Sequence, residues 1–317
     1  MIIATSNWAN IAINTAILAI SVYILWKGAG ILVESASRIA VRFGVSELVI
    51  GLTVVAIGTS APEFAVTVNA AVRGQADISV GNIVGSNIFN LGFILGVVAM
   101  VRPIQTERKI VHRDGVFLLA ITLLLLIFLI DRRIERVEGG VMLATLIAYM
   151  GLLFFKKEKV EDDVDAHHTP ATWKDFILLP LGIGLVIAGG HFLVESSVLV
   201  ARSIGVSEWV IGVTVVAAGT SAPEMATSLA AILKGREGIS AGNLIGSNIF
   251  NTLGVLGLAG LLRPMVIAPS SIYTMALLIV MTAAAVIFMR TGWAVSRKEG
   301  LLLFLTGIII WVIDFLV

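Results

Sequence analysis

The sequence predicts an all-α integral membrane protein whose ten transmembrane helices form two inverted-topology five-helix repeats. Three observations predict it. The mean hydropathy is +1.00 with only 14% charged residues, against about 25% charged in an ordinary soluble domain. Ten apolar stretches succeed one another along the 317 residues. Long stretches of the first half also return in the second at a constant offset of 161 residues.

The apolar stretches, cut at charged residues or Gly/Pro clusters, run over 8–37, 47–72, 79–101, 115–130 and 137–155, then 175–200, 208–233, 240–262, 269–289 and 299–316. Most are close to or above the roughly 20 residues that cross a hydrocarbon core of about 30 Å as a helix. The first is long enough to tilt or to run past the membrane surface. No basic n-region precedes it, so residues 8–26 read as a retained helix rather than a cleaved leader. The hydrophilic stretch 156–174 divides the chain into a first repeat, 1–155, and a second, 175–317.

The duplication is dense. Residues 44–64, GVSELVIGLTVVAIGTSAPEF, return at 205–225 with 17 of 21 positions identical, and GNIVGSNIFN at 81–90 returns as GNLIGSNIFN at 242–251. Glu34 matches Glu195, and Arg102-Pro103 matches Arg263-Pro264. Because five is odd, the second copy enters the membrane from the side opposite to the first. Charge agrees. With Lys27 set aside, six Lys/Arg (Arg73, Arg132, Arg133, Arg136, Arg202 and Arg263) fall on the side of the N-terminus and fifteen on the other. The positive-inside rule then places both termini outside a cell membrane and the 156–174 loop in the cytoplasm.

Composition also excludes. A net charge of +1 with scattered basic residues gives no field for nucleic acid. Zero cysteines removes disulfides, thiolate metal sites and cysteine nucleophiles. There is no HExxH signature, and His191 has no repeated partner, so a hydrolase is disfavoured. No cofactor and no obligate protein partner are expected, only the lipid bilayer and the transported species.

The chemistry-bearing motif is GTSAPE, twice. Glu63 lies ten residues before Arg73, as Glu224 does before Lys234. That is about 15 Å along a helix, near the bilayer midplane. An acid at that depth is costly unless it faces a partner or a wet cavity, and no Lys or Arg is available at matching depth. Pro62 and Pro223 lack an N–H and crowd the carbonyls of Gly58 and Gly219, so each helix breaks just before its acid. Freed carbonyls, the hydroxyls of Thr59, Ser60, Thr220 and Ser221, and the two carboxylates then make a cluster of hard oxygens suited to Na⁺ or Ca²⁺. A proline kink used only for packing explains neither the adjacent acid nor the repetition. In the second motif, Ser86 and Asn90 stack at i and i+4, as do Ser247 and Asn251, beside a GxxxG face that admits a close neighbouring helix.

Other features read more simply. Ser46-Glu47 and Ser207-Glu208 look like helix caps with a first-turn acid, and Glu34 and Glu195 like solvated helix ends. The acidic run Glu161 to Asp165, followed by His167 and His168, lacks the glycine and spacing of an EF-hand and reads as a solvated linker.

Through its two motif pairs, GTSAPE with GNIVGSNIFN and GTSAPE with GNLIGSNIFN, the chain resembles the sodium/calcium exchanger family of the cation/calcium antiporter superfamily, in its prokaryotic form without a large regulatory loop. The resemblance covers nearly the whole chain. It implies secondary active Na⁺/Ca²⁺ antiport by alternating access, with four ion sites between the second, third, seventh and eighth spans. Carried onto matching positions, the implied ligands are Glu63, Glu224, Thr59, Thr220, Ser60, Ser221, Ser86 and Ser247, with the carbonyls of Ala56 and Ala217. Asn90 and Asn251 depart from relatives that carry aspartate at the second site. Potassium-dependent relatives typically have that aspartate, so the pair implies K⁺-independent exchange. A proton/calcium antiporter using the same two glutamates is the alternative.

Overall fold

The computed structural model of the protein describes residues 2–155, 171–206, 217–269 and 271–316. Within these the chain is helical almost throughout. In chain order the helices are α1 (Ile2–Phe43), the bent pair α2 (Glu47–Thr59) and α3 (Ala61–Val72), α4 (Ala76–Val101), α5 (Ile110–Phe128) and α6 (Arg136–Phe155). There follow α7 (Trp173–Ser203), the short α8 (Ala217–Thr220), α9 (Ala222–Leu233), α10 (Glu237–Leu262), α11 (Ser271–Arg290) and α12 (Arg297–Leu316).

Among the described residues, seven helices are long and apolar enough to cross a membrane, and α2 with α3 makes an eighth if the pair, bent by 53°, is one span. Residues 207–216, needed for the predicted span 208–233, and the Ser207-Glu208 cap lie outside the described residues, as does most of the predicted linker, 156–170. α7 starts at Trp173, two residues before the predicted start of the second repeat, because Thr172 and Asp175 close a capping box there. The first span is also longer than predicted. At 42 residues α1 is about 63 Å long, roughly twice the hydrocarbon thickness.

Large apolar side chains such as Ile130, Val137, Ile147 and Tyr273 are at least 70% exposed. On a soluble protein such a belt is an aggregation surface, whereas lipid solvates it. Inside, the core has two parts. One gathers α4, α5, α6, α10, α11 and α12, and the other joins α1 and α7 to the flanks of α2 and α9. α1 and α7 lie along each other at backbone distance. A Cβ on Gly182 would stand 2.7 Å from Leu32 N, and one on Gly189 2.8 Å from Leu25 N, the small-residue contact that lets membrane helices approach closely.

The repeat is visible in local detail. The turns after α3 and α9 use Gly74 at φ +79° and Gly235 at φ +71°, matching positions where an L side chain would be strained. Two-residue strands, which the all-helical prediction did not include, also recur at the 161 offset: β1 (Ile104–Gln105), β2 (Arg133–Ile134), β3 (Met265–Val266) and β4 (Ala294–Val295). They pair crosswise, β1 with β4 and β2 with β3, so each ladder ties one half to the other.

Candidate functional site

The site forms where the broken helices of the two halves meet α4 and α10. In the first half α2 ends at Thr59, Ser60 leaves helical geometry at φ −79°, ψ 11°, and α3 restarts with Pro62 in its first turn. In the second half α8 ends at Thr220, Ser221 sits at φ −89°, ψ 8°, and α9 restarts with Pro223. The break falls where proline chemistry places it. It puts Glu63 and Glu224 in the first turns of α3 and α9, beside backbone N–H groups that a negative charge favours.

Both carboxylates are wholly buried, and the two halves serve each other. Ser60 Oγ donates to Glu224 Oε1 at 3.0 Å, and Ser221 Oγ donates to Glu63 Oε1 at 2.9 Å. Ser86 also stands beside Glu63, and Thr59 beside Glu224. Thr59 Oγ1 bridges farther, to Asn243 Oδ1 at 3.0 Å and to Ser247 Oγ at 3.5 Å. Each glutamate keeps one buried oxygen, Oε2, with no hydrogen-bond partner, and no Lys, Arg or His pairs with either carboxylate among the described residues.

Of the residues singled out from sequence, Glu63, Glu224, Thr59, Thr220, Ser60, Ser221, Ser86, Ser247, Asn90 and Asn251 are all buried, the least so being Thr220 at 8% exposed. The carbonyl of Ala56 accepts from Thr59 Oγ1 at 3.3 Å and from Ser60 N at 3.0 Å, so it is partly engaged at the break. Ala217 opens α8, and its side chain lies outside the described residues. Gly58 and Gly219 lie at the helix breaks, as their place before Pro62 and Pro223 predicts. They also admit α7, because a Cβ on Gly58 would stand 2.9 Å from Ile183 Cδ1 and one on Gly219 2.2 Å from Val194 Cγ2.

Asn90 and Asn251 each lie at a π-helical turn, Asn90–Ile94 in α4 and Phe250–Val255 in α10. Such a turn widens the backbone and turns side chains out of α-helical register, a common arrangement at functional sites. The glycines of the second motif are packing positions in one half. A Cβ on Gly242 or Gly246 would stand 2.6 Å from the carbonyl of Leu48 or Leu52 of α2. At Gly81 and Gly85 no atom of the described residues comes within 4 Å, and the stretch matching Leu48–Leu52, 209–213, lies outside them.

Sequence reasoning missed the residues that hold the glutamates' backbone. Asn82 Nδ2 donates to Glu63 O at 3.4 Å and to Thr67 Oγ1 at 2.9 Å, and Asn243 Nδ2 donates to Glu224 O at 3.4 Å and to Ser228 Oγ at 2.9 Å. The signal was present. Asn82 and Asn243 stand at the 161 offset beside glycines already noted, and Thr67 and Ser228 match as hydroxyls.

Two buried, unpaired carboxylate oxygens, ringed by hydroxyl and amide oxygens and lacking any basic side chain, make a site that favours a hard cation. No group of three or more His, Cys, Asp or Glu occurs elsewhere among the described residues.

Comparison with known proteins agrees with this chemistry. A family model described as sodium/calcium exchanger protein matches residues 13–155 and 174–315. The sodium/calcium exchanger MaX1 of Methanosarcina acetivorans is 35% identical over 92% of this chain and 96% of its own length. The inner membrane protein YrbG of Escherichia coli is 34% identical over 94% and 95% of the two chains. Among solved structures, the sodium-calcium exchanger NCX_Mj, soaked with zero Na⁺ and Ca²⁺, superposes with a TM-score of 0.83 at 29% identity over 94% of this chain and 98% of that one.

Proposed function

The chain belongs to the sodium/calcium exchanger family, and we propose that it exchanges Na⁺ for Ca²⁺ across the cell membrane by binding both at Glu63 and Glu224. The observation that carries this reading is the crossed pair of bonds, Ser60 to Glu224 and Ser221 to Glu63, which leaves one buried oxygen of each carboxylate free. Ca²⁺ takes six to eight oxygens at about 2.3–2.6 Å. The two glutamates, with Thr59, Thr220, Ser60, Ser221, Ser86, Ser247, the amide oxygens of Asn90 and Asn251 and the carbonyls of Ala56 and Ala217, supply such oxygens. Two negative charges neutralise one Ca²⁺ or are shared among several Na⁺. The ions therefore compete for the same ligands, and that competition couples their fluxes.

The duplication supports alternating access. In this reading the chain has ten spans, with residues 1–155 and 175–317 as inverted halves joined by a cytoplasmic loop at 156–174 and both termini outside. The glutamates sit at the break of each half, so a rocking of the halves exposes one shared site to either face in turn. The amides at Asn90 and Asn251 lower the negative charge below that of a site with a third carboxylate, which supports K⁺-independent exchange.

The test is reconstitution into vesicles with imposed Na⁺, H⁺ and K⁺ gradients. An outward-directed Na⁺ gradient is expected to drive ⁴⁵Ca²⁺ uptake without K⁺. Glu63→Gln and Glu224→Gln are each expected to abolish it. Full uptake by either variant overturns the central assignment, and uptake driven by a pH gradient in Na⁺-free buffer favours the proton/calcium alternative.

A further inference from the structure

Asn90 and Asn251 occupy the same place in the two copies, and both are wholly buried, yet their amides are held differently. Asn251 Nδ2 donates to Asn87 Oδ1 at 3.2 Å. Asn87 is fixed in turn, because its Nδ2 donates to Thr252 Oγ1 at 2.9 Å and to Asn248 O at 3.5 Å. An amide has one donor end and one acceptor end. With the donor end of Asn251 bound to Asn87, its Oδ1 is the end left over, and that oxygen has no partner among the described residues.

The first copy lacks this arrangement. Asn248, the counterpart of Asn87, donates to Leu244 O at 2.7 Å within its own helix, and neither Nδ2 nor Oδ1 of Asn90 has a partner among the described residues. The sequence encodes the difference. Thr252 anchors Asn87, and the position 161 residues before it is Leu91, which has no hydroxyl to offer.

We propose that Asn87, held by Thr252, is a positioning residue that fixes the Asn251 amide with its oxygen turned to the transported cation, while Asn90 stays free to turn. This rests on the reading that the cations bind between Glu63 and Glu224, since Asn251 lies in the π-turn that packs against the helix carrying Glu63. A hard cation binds amide oxygen and is repelled by the amide N–H₂. An amide that points the wrong way is therefore worse than no side chain. A carboxylate at 251 would need no such anchor, because both of its ends are oxygens. The Asn87–Thr252 pair is thus the device by which a neutral residue substitutes for an acid at this corner of the site.

The test is Na⁺-gradient-driven ⁴⁵Ca²⁺ uptake by reconstituted full-length protein, measured against Ca²⁺ concentration. Thr252→Val keeps the shape of the side chain and removes the anchor. It is expected to raise the half-saturating Ca²⁺ by about tenfold, the scale of a lost hydrogen bond in a buried polar network, and Asn87→Ala is expected to do at least as much. In an Asn251→Asp background the Thr252→Val substitution is expected to change the half-saturating Ca²⁺ by less than about twofold, because the oriented amide is gone. A merely structural role for Thr252 gives the same loss in both backgrounds and overturns the inference. So does an Asn251→Ala variant with unchanged half-saturating Ca²⁺. The reading of the central site stands or falls separately, on whether Glu63→Gln abolishes uptake.

Discussion

Ser60 of one half donates its hydroxyl to Glu224 of the other at 3.0 Å, and Ser221 returns the same bond to Glu63 at 2.9 Å. Each glutamate thus has one carboxylate oxygen held by a serine of the opposite copy. A hydrogen bond to a charged group contributes about 1.5–3 kcal/mol, and each 1.4 kcal/mol is a factor of ten. Ser60→Ala and Ser221→Ala are each expected to raise half-saturating Ca²⁺ by about tenfold or more. The crossed geometry adds a condition: the two variants should show losses of similar size in the same uptake assay. A loss confined to one of them would mean that the two carboxylates are not used alike.

Asn82 and Asn243 act one layer farther out, each bonded both to a glutamate carbonyl and to a hydroxyl one turn on, at Thr67 or Ser228. Removing one leaves buried groups unsatisfied, at a cost of about 1–3 kcal/mol. Asn243→Ala is expected to lower the midpoint of thermal unfolding in detergent. Added Ca²⁺ should raise the midpoint of the variant less than that of the parent, because a ligand stabilises in proportion to how well the folded site binds it. Scanning fluorimetry with and without Ca²⁺ measures both.

These two layers differ in how far the sequence discloses them. Glu63 and Glu224 are legible because an acid deep in an apolar run has no cheap explanation, and the proline beside each dictates where the helix must break. Asn82 and Asn243 stand out less, since a single asparagine next to glycine in a membrane helix reads as part of a packing face. Their role depends on a 19-residue reach back to the glutamate carbonyl that only the folded bend between the helices creates. The π-turns at Asn90 and Phe250 have no residue-type signature, because they change hydrogen-bond register rather than composition. The two-residue strands escape for a similar reason: each exists only by pairing with the other half.

The closeness of α10 to α2 should make it intolerant of even one added methyl. A Cβ on Gly246 would stand 2.6 Å from Leu52 O and 2.7 Å from Leu52 Cα, which are backbone atoms that cannot turn aside. Overpacking of that kind typically costs about 1–3 kcal/mol, and the forced shift lies one residue from Ser247. Gly246→Ala is expected to lower both thermal stability and Ca²⁺ uptake. Gly140→Ala on α6, where a Cβ meets nothing within 4 Å among the described residues, should leave both within error or gain slightly from the better helix former. Equal tolerance at the two positions would contradict the packing.

Lys234 at the end of α9 pairs with Glu34 on α1, and Arg236 pairs with Glu47 at 3.1 Å. The matching positions of the other copy behave otherwise. Arg73 has no ion pair among the described residues, Glu195 stands 3.8 Å from His191, and the counterpart of Arg236 is Gln75. In the alternating-access reading proposed above, these two pairs bias the rocking of the halves against opening on their own face. The Lys234–Glu34 pair is 35% and 51% exposed, so its contribution is at most about 1 kcal/mol, or about fivefold in a population. The chain contains no cysteine, and a single Ala230→Cys, buried beside the pair, reports that face without background. Glu34→Gln is expected to speed its reaction with a membrane-impermeant maleimide two- to fivefold. At about 1 M salt, where the Debye length falls to about 3 Å, the parent should approach the variant. A rate that neither Glu34→Gln nor salt alters would show that this pair does not gate the face.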